Sequence, residues 1–436
     1  MIKGKYVSQG LIVLVSLFLG SWQVQANEKF DEKIKTLNLL TGNKSVQGQF
    51  KSLMEDKKSI NPLLEYAAKQ VKKDESLLSF NAAFILAACA QAQDKDSAAE
   101  TFLRVCAEQA GKLESEKKIR RAYLGLIDLY YDSGQFKKCA RVCKEIMELD
   151  LGGDQPRKVL LPVTRFGKDD FDIEKNYDCA QNIKPYARIY QIRSITKLGQ
   201  FKEAKNQMED LLQLSNHWQI RAIYGWVLRE SGDFKEALDV YESVVDSVVQ
   251  DQTLKDDEKK AYEDQYRSIL SGIYVDLGQL KKATNQLKDL VARYPDEPGF
   301  YNDLGYIMAD NGLDLREAEK YIRKAVELDQ KKLKAREDYD PKTDVGNGAY
   351  LDSLGWVLFK QKKYKEAREW LLKAVKDKNS QHIEIYDHLG DAHLALGETQ
   401  QALKAWQRGV QLAGENARER ERKVNVLKKI EKYSQE

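Results

Sequence analysis

Residues 301–312 read YNDLGYIMADNG, residues 350–375 read YLDSLGWVLFKQKKYKEAREWLLKAV, and residues 386–410 read YDHLGDAHLALGETQQALKAWQRGV. Aligned on Leu304-Gly305, Leu354-Gly355 and Leu389-Gly390, all three follow one plan. A turn residue comes next (Gly312, Lys362, Gly397), then an alanine (Ala318, Ala367, Ala402), a large apolar residue (Ile322, Leu371, Trp406) and a further small residue (Ala325, Ala374, Gly409). Apolar positions at helical spacing on either side of a turn predict two antiparallel helices per copy. The small residues let the two helix axes approach closely while the large apolar residues fill the space between them. One such pair cannot bury its own apolar face, so neighbouring copies must stack.

Weaker copies extend toward the amino terminus. Gly225, Gly232, Ala237 and Tyr241 mark one; Ser271, Gly278, Ala283, Leu287 and Pro295 mark the next, and Ser271 to Gly305 is one period of 34 residues. Gly199 with Ala204, and Gly134 with Cys139 and Cys143, mark two more, giving seven credible units. Phe80 to Cys106, with Ala87, Ala88, Ala98 and Ala99, is a degenerate copy.

The expected organisation is a leader over 1–26, an amino-terminal helical segment over 27–75, a degenerate sub-array over 76–150 and a long loop over 151–180. A main array over 181–415 and a carboxy-terminal capping helix over 416–436 follow. Residues 246–258 and 331–348 are expected to lengthen two connections, and Val424, Leu427 and Ile430 to form the apolar face of the cap.

The leader is read from Lys3 and Lys5, the apolar run Leu11 to Leu19 and the small-residue site Val24-Gln25-Ala26, the layout of a secretory signal peptide. Its core is far shorter than the roughly 20 apolar residues of a membrane-spanning helix, so no membrane anchor is expected after cleavage. The mature chain is expected in the periplasm or secreted. Of 71 Lys and Arg, two lie in the leader, against 68 Asp and Glu. That balance lacks the positive field that nucleic acids or anionic lipids require, so nucleic acid is not an expected partner.

Cys139 and Cys143 sit four apart on an expected helix, where Cβ atoms lie about 5–6 Å apart and a disulfide needs roughly 3.5–4.5 Å. Both are read as buried thiols. Cys89 and Cys106 could face one another across successive helices, bridged or free, and Cys179 is left in a polar stretch. No C-x-x-C or zinc spacing occurs.

The repeats resemble those of bacterial exported tetratricopeptide-repeat (TPR) proteins, from about Gly299 to Leu412. The resemblance implies an all-α fold, a right-handed superhelical solenoid of antiparallel helix pairs, with the first helix of each pair lining a concave surface used to hold partners. It departs from the members that clamp a peptide carboxylate. Where those carry asparagines and basic residues, the ninth positions here hold Trp226, Gly272, Tyr306, Trp356 and Asp391. Carried over position by position, the resemblance points Trp226, Tyr306, Trp356 and Phe359 into the concavity, with Asp352, Asp387 and Asp391 beside them. Aromatics give large contact area at low entropy cost and acids favour basic or hydroxyl-rich ligands, so the surface suits peptides or glycans. The same aromatics could instead pack between neighbouring first helices.

Catalytic and cofactor chemistry has little footing. His382, His388 and His393 are spaced onto different helix faces, unlike the paired ligands of H-E-x-x-H. Asp338, Asp340, Asp344 and Gly346 hint at a calcium loop, but Lys342 occupies a ligand position and the closing glutamate is missing. No phosphate-binding or nucleophile-elbow motif occurs. The sequence therefore predicts no enzyme, metal or cofactor. It predicts a non-catalytic protein-interaction scaffold of the bacterial cell envelope, binding a protein or peptide through the concave surface. The alternative is an accessory subunit of an envelope enzyme or polysaccharide-assembly complex.

Overall fold

A computed structural model describes residues 27–41, 43–56, 58–149, 183–337, 339–341, 344–377 and 380–434. The expected leader, the loop over 151–180 with Cys179, and Asp338 and Lys342 of the calcium-loop reading lie outside the described residues. Among the described residues the regular structure is helical, with no strand. The chain divides into two compact units, one ending at Ser194 and the other starting at Ile195.

The first unit holds α1 (residues 27–38), α2 (Asn43–Glu55), α3 (Ile60–Val71), α4 (Phe80–Ala92), α5 (Asp96–Lys112), α6 (Glu116–Asp132) and α7 (Phe136–Glu148), and α8 (Ile183–Lys197) begins in it. One apolar core runs through it from Ile34 to Ala187. The segment Phe80 to Cys106 forms a helical hairpin, α4 with α5, and α6 pairs with α7. Cys89, Cys106, Cys139 and Cys143 are free and buried. The Cys139 and Cys106 thiols donate to the carbonyls of Ile127 and Phe80, each at 3.6 Å. Burial pushes the Cys89 thiol up to about 12, so it stays protonated and unreactive.

The second unit continues with α9 (Phe201–Leu214), α10 (Trp218–Ser231), α11 (Phe234–Gln250), α12 (Asp256–Asp276), α13 (Leu280–Arg293), α14 (Pro298–Asp310) and α15 (Leu315–Lys334). It ends with α16 (Gly348–Lys360), α17 (Tyr364–Ala374), α18 (Ile383–Ala395), α19 (Thr399–Leu412) and α20 (Ala417–Tyr433). The pairs α10/α11, α12/α13, α14/α15, α16/α17 and α18/α19 are hairpins, and each stacks on the next. The extra length at 246–258 is absorbed mostly into helix, with α11 and α12 reaching 17 and 21 residues.

The repeat's small positions do what close packing demands. A Cβ on Gly305 would lie 2.5 Å from Ile322, and one on Gly355 would lie 2.6 Å from Leu371. Both partners sit on the second helix of the same pair, so the absent side chain sets the interaxial distance. The hairpin turn needs a left-handed residue, met by Gly312 at φ 68° and, in the next copy, by Lys362 at φ 66°. The cap differs from its expected register. Val424 and Leu427 are exposed, and α20 instead presents Val426, Ile430 and Tyr433 to Trp406 and its neighbours. Positions 426, 430 and 433 share one helical stripe and 424 and 427 do not.

Candidate functional site

The second unit encloses a cavity of about 1020 Å³. Its lining comes from α10, α12, α14, α16, α18 and α20 and from residues flanking α14, α18 and α20, with none from α11, α13, α15, α17 or α19. The first helices therefore share one face. On α14 the lining stripe is Asp303, Tyr306 and Asp310, and on α18 it is Glu384, Asp387 and Asp391. Both follow the spacing that stacks side chains along one side of a helix. Facing them, α20 presents Arg418, Arg422, Asn425 and Lys429 on a single stripe of its own.

These opposed stripes are bonded. Arg422 reaches Glu384 at 2.5 Å and Asp387 at 3.2 Å, and Lys429 reaches both Asp387 and Asp391 at 2.6 Å. Arg418 donates to both carboxylate oxygens of Asp276 at 2.7 Å and to the Gly272 carbonyl at 2.9 Å. Burial alone would raise Glu384, but Arg422 beside it, with His388 and the Tyr306 hydroxyl, holds its carboxyl below the usual range. Burial and the neighbouring Asp387 outweigh Lys429 at Asp391, whose carboxyl is raised.

Beneath this polar layer lies a stacked aromatic group. The Trp356 indole is stacked against both the His388 imidazole and the Phe359 ring. Its Nε1–H donates to Asp310 at 2.9 Å. His388 is buried, with Nδ1 3.0 Å from Asp352, itself buried. Burial would lower the His388 pKa, but the Asp352 carboxylate, helped by Glu384, more than offsets it and raises it. The Tyr306 hydroxyl donates to Glu384 at 2.6 Å, and burial next to two carboxylates raises its pKa well above the usual phenol.

Of the residues singled out by sequence, Tyr306, Trp356, Asp387 and Asp391 therefore meet at one cavity. The other three do not line it. Asp352 is turned to His388, Phe359 stacks behind Trp356, and Trp226 is half-buried with the Lys197 ammonium 5.3 Å from its ring. His382, His388 and His393 stay apart: His388 pairs with Asp352, His393 lies 2.5 Å from Glu398, and His382 precedes α18. Among the described residues no group of three or more His, Cys, Asp or Glu is placed to hold a metal ion. Asp276, Asp303, Asp310 and Glu384, and the three cations of α20, were not singled out by sequence. For all but Asp276 the signal is the i, i+3 or i+4, i+7 recurrence of one charge sign along a helix.

Residues 196–250 and 273–332 match one tetratricopeptide-repeat family model, and residues 348–378 match a second. These segments are tetratricopeptide repeats. A TPR repeat-containing protein of Pseudomonas aeruginosa is 34% identical over 125 residues, which is 29% of this chain and 18% of that relative. The match thus spans under a fifth of that protein's length. A thermophilic TPR protein of Thermus thermophilus is similar at 22% identity and TM-score 0.35, over 48% of this chain and 98% of that one. Yeast Tom70 is similar at 14% identity and TM-score 0.42, over 96% of this chain and 95% of that one.

Proposed function

We propose that this chain is a non-catalytic scaffold, exported to the bacterial cell envelope, that holds a protein or peptide partner on the face formed by the first helices of its second unit. The observation that carries this reading is the cavity walled by α10, α12, α14, α16 and α18, where Tyr306 and Trp356 sit among carboxylates. Most of its titratable side chains are taken up by ion pairs and stacking rather than converging on one reacting atom, which suits binding better than catalysis. Export rests on the Lys3/Lys5 to Ala26 leader pattern.

Photo-crosslinking in cells tests the binding face. A crosslinking residue at Asp303, in the cavity wall, should give a discrete partner adduct, and one at Lys365, exposed on α17, should not. Equal labelling from both positions, or none from 303, would overturn the assignment of the face. Mass spectrometry of the native protein should show an amino terminus at or near Asn27; an intact Met1 in exported material would overturn the export reading.

A further inference from the structure

The carboxy-terminal helix is fixed to the rest of its unit in two ways. Its second half is apolar-anchored, with Val426 fully buried and Ile430 and Tyr433 packed beside Trp406. No residue of α20 before Val426 is buried. That first half is nevertheless laid across helices far away in sequence. Asn416 caps it by accepting from the Glu419 amide at 2.9 Å. Arg418 then latches onto Asp276 on α12, Arg420 donates to the Ser231 carbonyl at the end of α10, and the Arg420 guanidinium lies 4.7 Å from the Phe201 ring. Just before the helix Glu415 packs by Gly199, and its first residue, Ala417, packs by Gly232. The segment spans the cavity from its last repeat to the start of the unit.

What it lies on is one-signed. Apart from α20, the cavity lining supplies seven carboxylates and one guanidinium, that of Arg229, besides His382. Glu230 is paired with Lys197. Arg418, Arg422 and Lys429 engage Asp276, Glu384, Asp387 and Asp391, while Asp303 and Asp310 have no basic side chain in ion-pair contact among the described residues. A wall this acidic, already carrying a helix with cations on one stripe, has the shape and charge for a cationic helix. The latch is open to solvent on one side: the Arg418 side chain is 50% exposed while Asp276 is 10% exposed, so added salt screens the pair in part.

We infer that the Asn416–Arg422 arm of α20 is a displaceable strap, an in-cis occupant of the seat that a partner's arginine- and lysine-bearing helix takes when it binds. This rests on the reading of the first-helix face as the partner surface, and it names the partner's chemistry. A seat filled in cis lowers apparent affinity by the fraction of molecules in which it is open. Opening the strap therefore tightens binding of a cationic helix without creating a new contact.

The test uses the full chain and a labelled peptide of its own residues 414–432 as the probe, with a second peptide carrying glutamine at the positions of Arg418, Arg422 and Lys429. Arg418→Gln/Arg420→Gln/Arg422→Gln frees the arm, including its Arg422 contacts to Glu384 and Asp387, while leaving the Val426, Ile430 and Tyr433 anchor in place. Asn416→Ala, which removes the side-chain cap of the arm and leaves the acidic wall intact, frees it independently in case the first variant folds poorly, and a thermal melt checks both. Each released variant should bind the cationic peptide at least tenfold more tightly than the wild type, bind the glutamine peptide no better, and lose the gain in high salt. A folded variant with no gain, or equal gain for both peptides, would overturn the inference. If position 303 captures a cellular partner while the cationic peptide shows no gain, the strap fails and the scaffold reading stands. If the peptide gains and no partner is captured, the converse holds.

Discussion

The Trp356 indole and the His388 imidazole lie face to face, ring centroids 3.9 Å apart and 11° from parallel, although they come from the first helices of successive repeats. Trp356 thus reaches the cavity while stacking against His388 and Phe359. It is 8% exposed. Cutting it to alanine should cost about 3–5 kcal/mol of stability, as expected for a buried large aromatic. Trp226, half-buried with one cation near its ring, should cost less, roughly 2 kcal/mol from the apolar area it covers. Urea unfolding of Trp356→Ala and Trp226→Ala checks the contrast. An intact melt for Trp356→Ala would mean that the stack does not hold the repeats together.

His388 gives the second unit a pH dependence whose sign follows from its partners. Its pKa is raised in the folded chain because Asp352 and Glu384 face it, against the opposing influence of Arg422 and of burial. The folded state therefore binds the proton more tightly than the unfolded chain. The resulting stability is fully present below the unfolded value near 6.5 and is lost as pH rises through the folded value, at no more than about 1.4 kcal/mol per pH unit. Urea unfolding between pH 5.5 and 8.5 should show this decline in the wild type and its absence in His388→Gln. Identical profiles would remove His388 as the cause.

Much of the fold was legible because the repeat writes its packing rule into residue size. Gly305, Gly355 and Gly390 announce close helix contacts whatever the surrounding sequence, and each meets the large residue expected of it, Ile322, Leu371 and Trp406. The site was only partly legible. Recurrence placed Tyr306 and Trp356 on first helices, but whether a ring faces solvent depends on its neighbour in the next repeat, and no spacing within one repeat reveals His388 above Trp356. The cap was read from apolar positions alone. Its chief contacts are charged, and Arg418 meets Asp276 across 142 residues, a pairing that no local pattern encodes.

Lys362 occupies a turn position where other repeats carry glycine, and it takes the same left-handed backbone, φ 66°. A side chain there costs about 1–2 kcal/mol, partly offset in a glycine variant by the greater freedom glycine loses on folding, roughly 0.5–1 kcal/mol. Lys362→Gly should therefore raise stability by about 0.5–1 kcal/mol. Lys362→Leu keeps the same strain and should be nearly silent. A fall in melting temperature for Lys362→Gly would show that its side chain makes a contact worth more than the strain.

The close-contact rule itself is tested at Gly355. It is buried inside α16, and an added Cβ would meet Leu371 Cγ at 2.6 Å and the Ala367 carbonyl at 3.1 Å. Helix propensity pulls the other way, since alanine is favoured over glycine by about 0.8–1.0 kcal/mol in a helix interior. Gly48, within α2 with nothing within 4 Å of an added Cβ, measures propensity alone, and Gly48→Ala should stabilise by about that amount. If helix approach governs position 355, Gly355→Ala should gain nothing or lose stability, and Gly355→Leu should lose about 1–3 kcal/mol by overpacking. Trimming the opposing side chain separates the causes further. Leu371→Ala is costly alone, but combined with Gly355→Ala the pair should be less destabilising than the sum, because the second change makes room for the first. Strict additivity, or a Gly355→Ala variant stabilised as much as Gly48→Ala, would show that this glycine does not set the distance between α16 and α17.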